Sequence, residues 1–194
     1  MSDNTTPEAK TVDYGPLALL MGVWKGDRGM DIAPEPDGVE KSPYFETITF
    51  AAAGDVTNAE EQLLAVVRYH QVVSRKSNNE VFHDQVGYWL WDAATGVVMQ
   101  TLTIPRGVCV TATGKATPAG QGGWRLQVAA SKNDSCATIA ESPFMATKAG
   151  TVSYVCEFVI EGDNLAYNET TLVDIYGKKA FEHTDRNKLV RAAN

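Results

Sequence analysis

The chain has 194 residues, 44% of them hydrophobic and 21% charged, with a formal net charge of −7 and a pI near 4.9. That composition supplies one sizeable core and argues against wholesale disorder, while the acidic balance repels phosphate backbones and counts against nucleic acid as a partner. No run of about eighteen apolar residues exists to span a bilayer, and the opening MSDNTTPEAKTVDYG lacks the apolar stretch of a secretory signal.

Residues 1–14 read as a flexible tail, and residues 15–194 as a single β-barrel domain. The segment 15–21, GPLALLM, has Pro16 near its start and Gly22 after it, which suits a short helical plug. Strands begin at Val23, the first running to Asp31. Residues 33–42, with Pro34, Pro36 and Gly38, read as a loop. Over 44–51 the alternation is clean: Tyr44, Glu46, Ile48 and Phe50 share one face, and Phe45, Thr47 and Thr49 the other. Gly54–Asp55 reads as a turn, followed by a long strand over 61–75. Strands over 81–91 and 97–104 flank a DAATG hairpin, and 107–113 and 124–130 flank a Gly-rich turn. Residues 133–148 are less regular and suit an omega loop or a weak strand. Strands over 151–160 and 164–175 flank Glu161-Gly162-Asp163, and 181–191 closes the chain.

About ten strands joined by short turns favour a meander. A sheet of that size curls shut or splits into two layers, and closure leaves an interior for a ligand. The sequence therefore predicts an all-β, closed antiparallel barrel with a small-molecule ligand in its lumen, a monomer or homodimer with no membrane partner. Cys109, Cys136 and Cys156 form no CxxC pair, and without an export signal they read as thiols of a reducing cytoplasm. No GxSxG, HExxH, Walker or strand-borne GxGxxG motif occurs.

Five segments carry candidate chemistry. In Gly22-Val23-Trp24-Lys25-Gly26, Trp24 supplies a large plug with a polar N–H, either packing across one barrel end or meeting a ligand. GxW at a first strand is similar to the lipocalin and fatty-acid-binding superfamily. In 81–89, VFHDQVGYW, His83, Gln85, Gly87, Trp89 and Trp91 share a face and Phe82 lies on the other. In the last strand Phe181, His183, Asp185, Asn187 and Leu189 share a face; from the strand alone His183 reads first as a surface histidine, while a neutral imidazole there could bind iron or zinc, and a carboxylate such as Asp185 can orient the ring or raise its pKa. Arg106, in Ile104-Pro105-Arg106-Gly107, either enters the lumen to bind an anion or stays at the rim. Arg68 and His70, in the 61–75 strand, either mark a polar spot in the lumen or belong to a solvated strand end.

Taken in order, LLMGVWKG, VFHDQVGYW, IPRGV, EGDNLAY and AFEHT resemble the nitrobindin family, haem-binding barrels related to fatty-acid-binding proteins. The resemblance implies ferric haem b in the lumen, His183 as its axial ligand and hence the metal ligand, and His83 beside the haem with Phe82 at the family's usual Met position. Arg106 stands where the family has threonine, either to pair with a haem propionate or to fill space the haem would take. The resemblance further implies nitric oxide binding and isomerisation of peroxynitrite to nitrate, with no protein general base. The alternative is a non-enzymatic carrier of a small apolar acid, its carboxylate held by Arg106 or by Arg68 with a tyrosine.

Overall fold

The computed structural model describes residues 11–193. Residues 1–10 of the expected tail lie outside the described residues. A 3₁₀ turn, Gly15–Leu20, precedes β1 (Gly22–Glu35), β2 (Gly38–Asn58), β3 (Gln62–Arg75), β4 (Val81–Asp92), β5 (Val97–Ile104), β6 (Val108–Ala119), β7 (Gly123–Ser131) and β8 (Ile139–Glu141). A short helix α1 (Pro143–Lys148) follows, then β9 (Ala149–Glu161), β10 (Asn164–Ile175) and β11 (Lys178–Arg191).

The strands form one antiparallel sheet in the order β5-β4-β3-β2-β1-β11-β10-β9-β7-β6, and β5 pairs with β6 to close it. The closed, ten-stranded barrel is the architecture the turn-bounded strands predict. The eleventh strand, β8, pairs with β6 over Val108–Val110, whereas β7 pairs with β6 only from Thr113 onward. The weak strand in residues 133–148 thus patches the wall where β7 does not reach, and α1 packs beside it on β9.

Period-two alternation sorts each wall into lumen and solvent faces. On β2, Ser42, Tyr44, Glu46, Ile48 and Phe50 are buried while Lys41, Phe45 and Thr49 are exposed. On β3, Tyr69 and Gln71 turn inward, and Arg68 and His70 outward. Arg68 and His70 therefore mark no polar spot in the lumen. With other residues of β2–β5 they line an outer depression of about 620 Å³ that contains none of the residues carried over from the family.

Three local expectations need correction. Residues 33–42 are strand, because Pro36 and Asp37 form a two-residue turn between Glu35 and Gly38. Pro at the first central turn position sets φ for a tight reversal, so a proline read as loop marks a hairpin. Gly54–Asp55 is a register shift inside β2, Gly54 taking φ 86. The reversal comes later, at Ala59 and Glu60, which both have positive φ. The helix α1, unforeseen, starts at Ser142, whose hydroxyl accepts from the Met145 N–H.

One barrel end is sealed. The indole N–H of Trp24 donates to the Leu20 carbonyl at 2.7 Å, and the Arg191 guanidinium lies 4.2 Å from the ring centroid. Leu17, Leu20, Val67, Trp89, Leu126, Ile160 and Leu165 pack around it, all fully buried or nearly so.

Candidate functional site

Above the sealed floor the lumen turns polar. Glu46, on β2, accepts from Gln71 Nε2 at 2.7 Å and Tyr167 OH at 3.0 Å through Oε1, and from Asn187 Nδ2 at 2.7 Å through Oε2. Gln85 Nε2 lies 3.3 Å from Gln71 Oε1 and donates to Tyr69 OH at 2.7 Å. Gln100 Nε2 donates to the same hydroxyl at 3.0 Å. Tyr154 OH lies 2.9 Å from Gln100 Oε1 and 3.0 Å from Glu169 Oε2. One phenolic proton serves only one of these acceptors, so a protonated Glu169 satisfies the set by donating to Tyr154. Consistent with this, burial pushes Glu46 and Glu169 each up to about 7, against the lowering effect of their hydrogen bonds. The result is a belt of buried amides, phenols and carboxyls around the barrel waist.

The belt reaches the open end through His83, whose Nε2 lies 3.3 Å from Gln85 Oε1. Burial holds the His83 imidazole below its usual pKa, with the Gln85 contact opposing, and the positive charges of Arg106 and His183 add to the depression. His83 is thus a neutral imidazole at neutral pH. His183, on β11, also faces this end. Its Nε2 lies 2.7 Å from Asp31 Oδ1 on β1 and 3.5 Å from Asp185 Oδ2. Burial alone lowers its pKa, but the Asp31 hydrogen bond and the charges of Asp185 and Asp31 outweigh that, and the net shift is upward. Burial and the neighbouring charges of Glu169 and Asp31 push Asp185 well above the usual carboxylate range.

Of the residues carried over from the family, His183, His83, Phe82 and Arg106 come together at this mouth. Arg106 is exposed on the β5–β6 turn, and its Nη2 donates to the Phe82 carbonyl at 3.4 Å. It meets a backbone oxygen where a carboxylate was the expected partner, yet both histidines sense its charge. Phe82 stacks under the Arg75 guanidinium, 4.4 Å from the ring centroid, and meets Tyr44 edge-on. Trp24 is not with them. It is seven residues from Asp31 along the same strand, roughly 20 Å away at strand rise, inside the sealed floor.

Sequence reasoning missed Asp31 as a site residue. Trp24 and Asp31 are an odd number apart, which plain alternation sends to opposite faces. Gly26 pairs with Glu46 and Gly29 with Tyr44, so three steps on β1 match two on β2. This β-bulge flips the parity and brings Asp31 inward. A Cβ on Gly29 would lie 2.0 Å from the Tyr44 ring, so glycine is needed where the bulge meets that ring. The GDRG segment was the available signal.

A family model described as "THAP4-like, heme-binding beta-barrel domain" matches residues 13–191. Among solved structures, the chain is similar to one titled "Crystal Structure of Rv2717c from M. tuberculosis", with a TM-score of 0.68 and 20% identity, over 93% of this chain and 100% of that one. At that identity the likeness shows the fold alone. No curated protein matches at a significant level.

Proposed function

The chain belongs to the THAP4-like haem-binding β-barrel family, the nitrobindin family its motifs resemble, and on that premise we propose that it binds ferric haem b at the open end of the barrel with His183 as axial ligand. The observation that carries this reading is the convergence of His183, His83 and Arg106 on one mouth from three separate places in the wall.

The donor chemistry fits the group. His183 is a half-buried imidazole on the lumen wall with access to solvent. His183 would hold the iron only as a neutral ring, and its Nε2 would be free to do so only once the Asp31 hydrogen bond is given up. His83, held neutral by burial, would offer an uncharged imidazole to a small ligand at the mouth. Arg106 supplies a rim cation suited to a haem propionate. Bound haem would supply a ferric centre acting as Lewis acid and redox partner towards nitric oxide and the O–O bond of peroxynitrite. The protein's own part is to hold that group, exclude water below it with the closed belt, and keep His83 unprotonated. An acyl carrier is less well supported, since Arg68 faces outward and the waist is filled with polar side chains.

Titration of ferric haem into the purified apo-protein tests the reading. A saturable Soret band at one haem per chain is the expected result, followed by faster conversion of peroxynitrite to nitrate by the loaded protein. Absence of a saturable band overturns the haem assignment; a band without faster nitrate formation removes only the isomerase step.

A further inference from the structure

Asp31, His183 and Asp185 each offer one ligand atom, and the three atoms lie within 4.8 Å of one another. Asp31 on β1 pairs directly with Asp185 on β11, and His183 is two residues from Asp185 on the same inward face. Two adjacent hydrogen-bonded strands therefore fix the three donors before any ligand arrives. The spacings from His183 Nε2 are 2.7 Å to Asp31 Oδ1 and 3.5 Å to Asp185 Oδ2. A four- or six-coordinate ion with bonds near 2.1 Å sets neighbouring ligand atoms roughly 3.0–3.4 Å apart, between those two values.

Charge and hydrogen bonding point the same way. Asp31 and Asp185 sit directly opposite one another, and two carboxylates so placed are destabilising when both are ionised. Yet the Asp31 side chain, only 7% exposed, has His183 as its one hydrogen-bond partner among the described residues. Asp185 accepts no hydrogen bond from the described residues, its contact with His183 being an ion-pair distance. The carboxylate oxygens of Asp31 and Asp185 that no protein donor occupies are not shut away from solvent, and a divalent cation would take them. His183 and Asp185, 31% and 28% exposed, leave the outer side open for entry and for water or an exogenous ligand.

We propose that Asp31, His183 and Asp185 form a binding site for a divalent first-row transition ion of the Fe²⁺, Co²⁺ or Zn²⁺ kind, on the same imidazole nitrogen that haem would use. One carboxylate pair with one imidazole is a donor set of mixed oxygen and nitrogen character that suits such ions and leaves positions open. The ion and haem therefore exclude one another. The site does not depend on the haem reading.

Chelator-treated protein titrated with Co²⁺ and followed by visible absorption tests it. One ion per chain is expected, with ligand-field bands of oxygen and nitrogen donors and no thiolate charge-transfer band. Asp185→Asn should weaken Co²⁺ binding at least tenfold. In the parent, paramagnetic shifts should appear on His183, and preloaded Co²⁺ should block haem uptake. The proposal is overturned by no saturable binding, by a thiolate band placing the ion on Cys109 or Cys136, or by an unchanged affinity in Asp185→Asn. If that variant does not fold, the parent's NMR decides, and shifts confined to His70 or His83 overturn it. Protein that takes Co²⁺ but no haem loses the haem reading alone, and the reverse loses this one alone.

Discussion

The two ends of the barrel are built from opposite chemistry on the same strands. On β1, β4 and β11 the residues at one end are Trp24, Trp89 and Leu189, fully buried or nearly so, and at the other Asp31, His83 and His183. At the sealed end the one polar atom of Trp24 has a partner 2.7 Å away, and Trp89 Nε1 is the one buried side-chain polar atom without a partner among the described residues. At the open end carboxylates outnumber the groups that donate to them. On the proposed reading, stability resides in the first and ligand chemistry in the second, with the polar waist between, so a substitution at one end should leave the property of the other end in place.

The largest expected effect breaks the floor. Trp24→Ala removes a fully buried indole and should cost about 3–5 kcal/mol, read as a lower urea midpoint with unchanged slope, while the fraction that stays folded keeps its haem affinity. Loss of haem affinity at constant stability would place Trp24 in the ligand site and dissolve the separation.

The waist gives the next effect. Glu46 rises from 4.5 to about 7 on folding. A carboxyl with a raised pKa binds more protons when folded, so its stabilisation is complete below pH 4.5 and is lost as pH rises towards 7. The loss is about 3 kcal/mol for a shift of this size. Glu46→Gln, which mimics the protonated form, should flatten stability against pH over that window; an unaltered slope would show that Glu46 is ionised in the folded barrel.

At the mouth, His183→Ala should weaken haem binding at least a hundredfold, about 2.8 kcal/mol, and lower the unfolding midpoint by less than Trp24→Ala does, since Asp31 loses its one hydrogen-bond partner among the described residues. His83→Ala should retain haem and change only the kinetics of small-ligand binding. Equal haem affinity in His183→Ala and the parent removes the axial assignment.

A smaller shift comes from Asp31. Because the net pull on His183 is upward, the parent should lose haem at a higher pH than an ordinary histidine would dictate. Asp31→Asn should move that loss towards acid, measured as Soret intensity against pH; a shift in the other direction would show that Asp31 assists the ligand. Least of all, Arg106→Thr should change stability by no more than about 0.5 kcal/mol, as for an exposed side chain, and touch only the haem off-rate. A change in the unfolding midpoint beyond that would mean the guanidinium carries more than its Phe82 carbonyl contact.

Closure of the barrel, the plug and most strands were legible because period-two burial and turn residues are local signals. The inward face of β4, from His83 through Gln85 and Trp89, followed from alternation alone. The parity of β1 was not legible, because a bulge adds a residue without changing composition, and that hid Asp31. The partnership of Glu46 with Tyr167 and Asn187 was hidden too, since it joins residues more than 100 positions apart. His183 was found through resemblance; from its strand alone a surface histidine read as well. Helix α1 was missed because six residues carry too little periodicity to read.

The Trp24 floor also governs traffic. With its indole tied to Leu20 and covered by Arg191, this end is shut by the described residues, and on the haem reading the barrel is a vessel with one door. Water expelled by an incoming guest must leave against the guest's own direction, and no second molecule can push an occupant out from behind. Exchange is therefore a queue of one, and its rate should answer to changes at the rim, not to changes in the packing below.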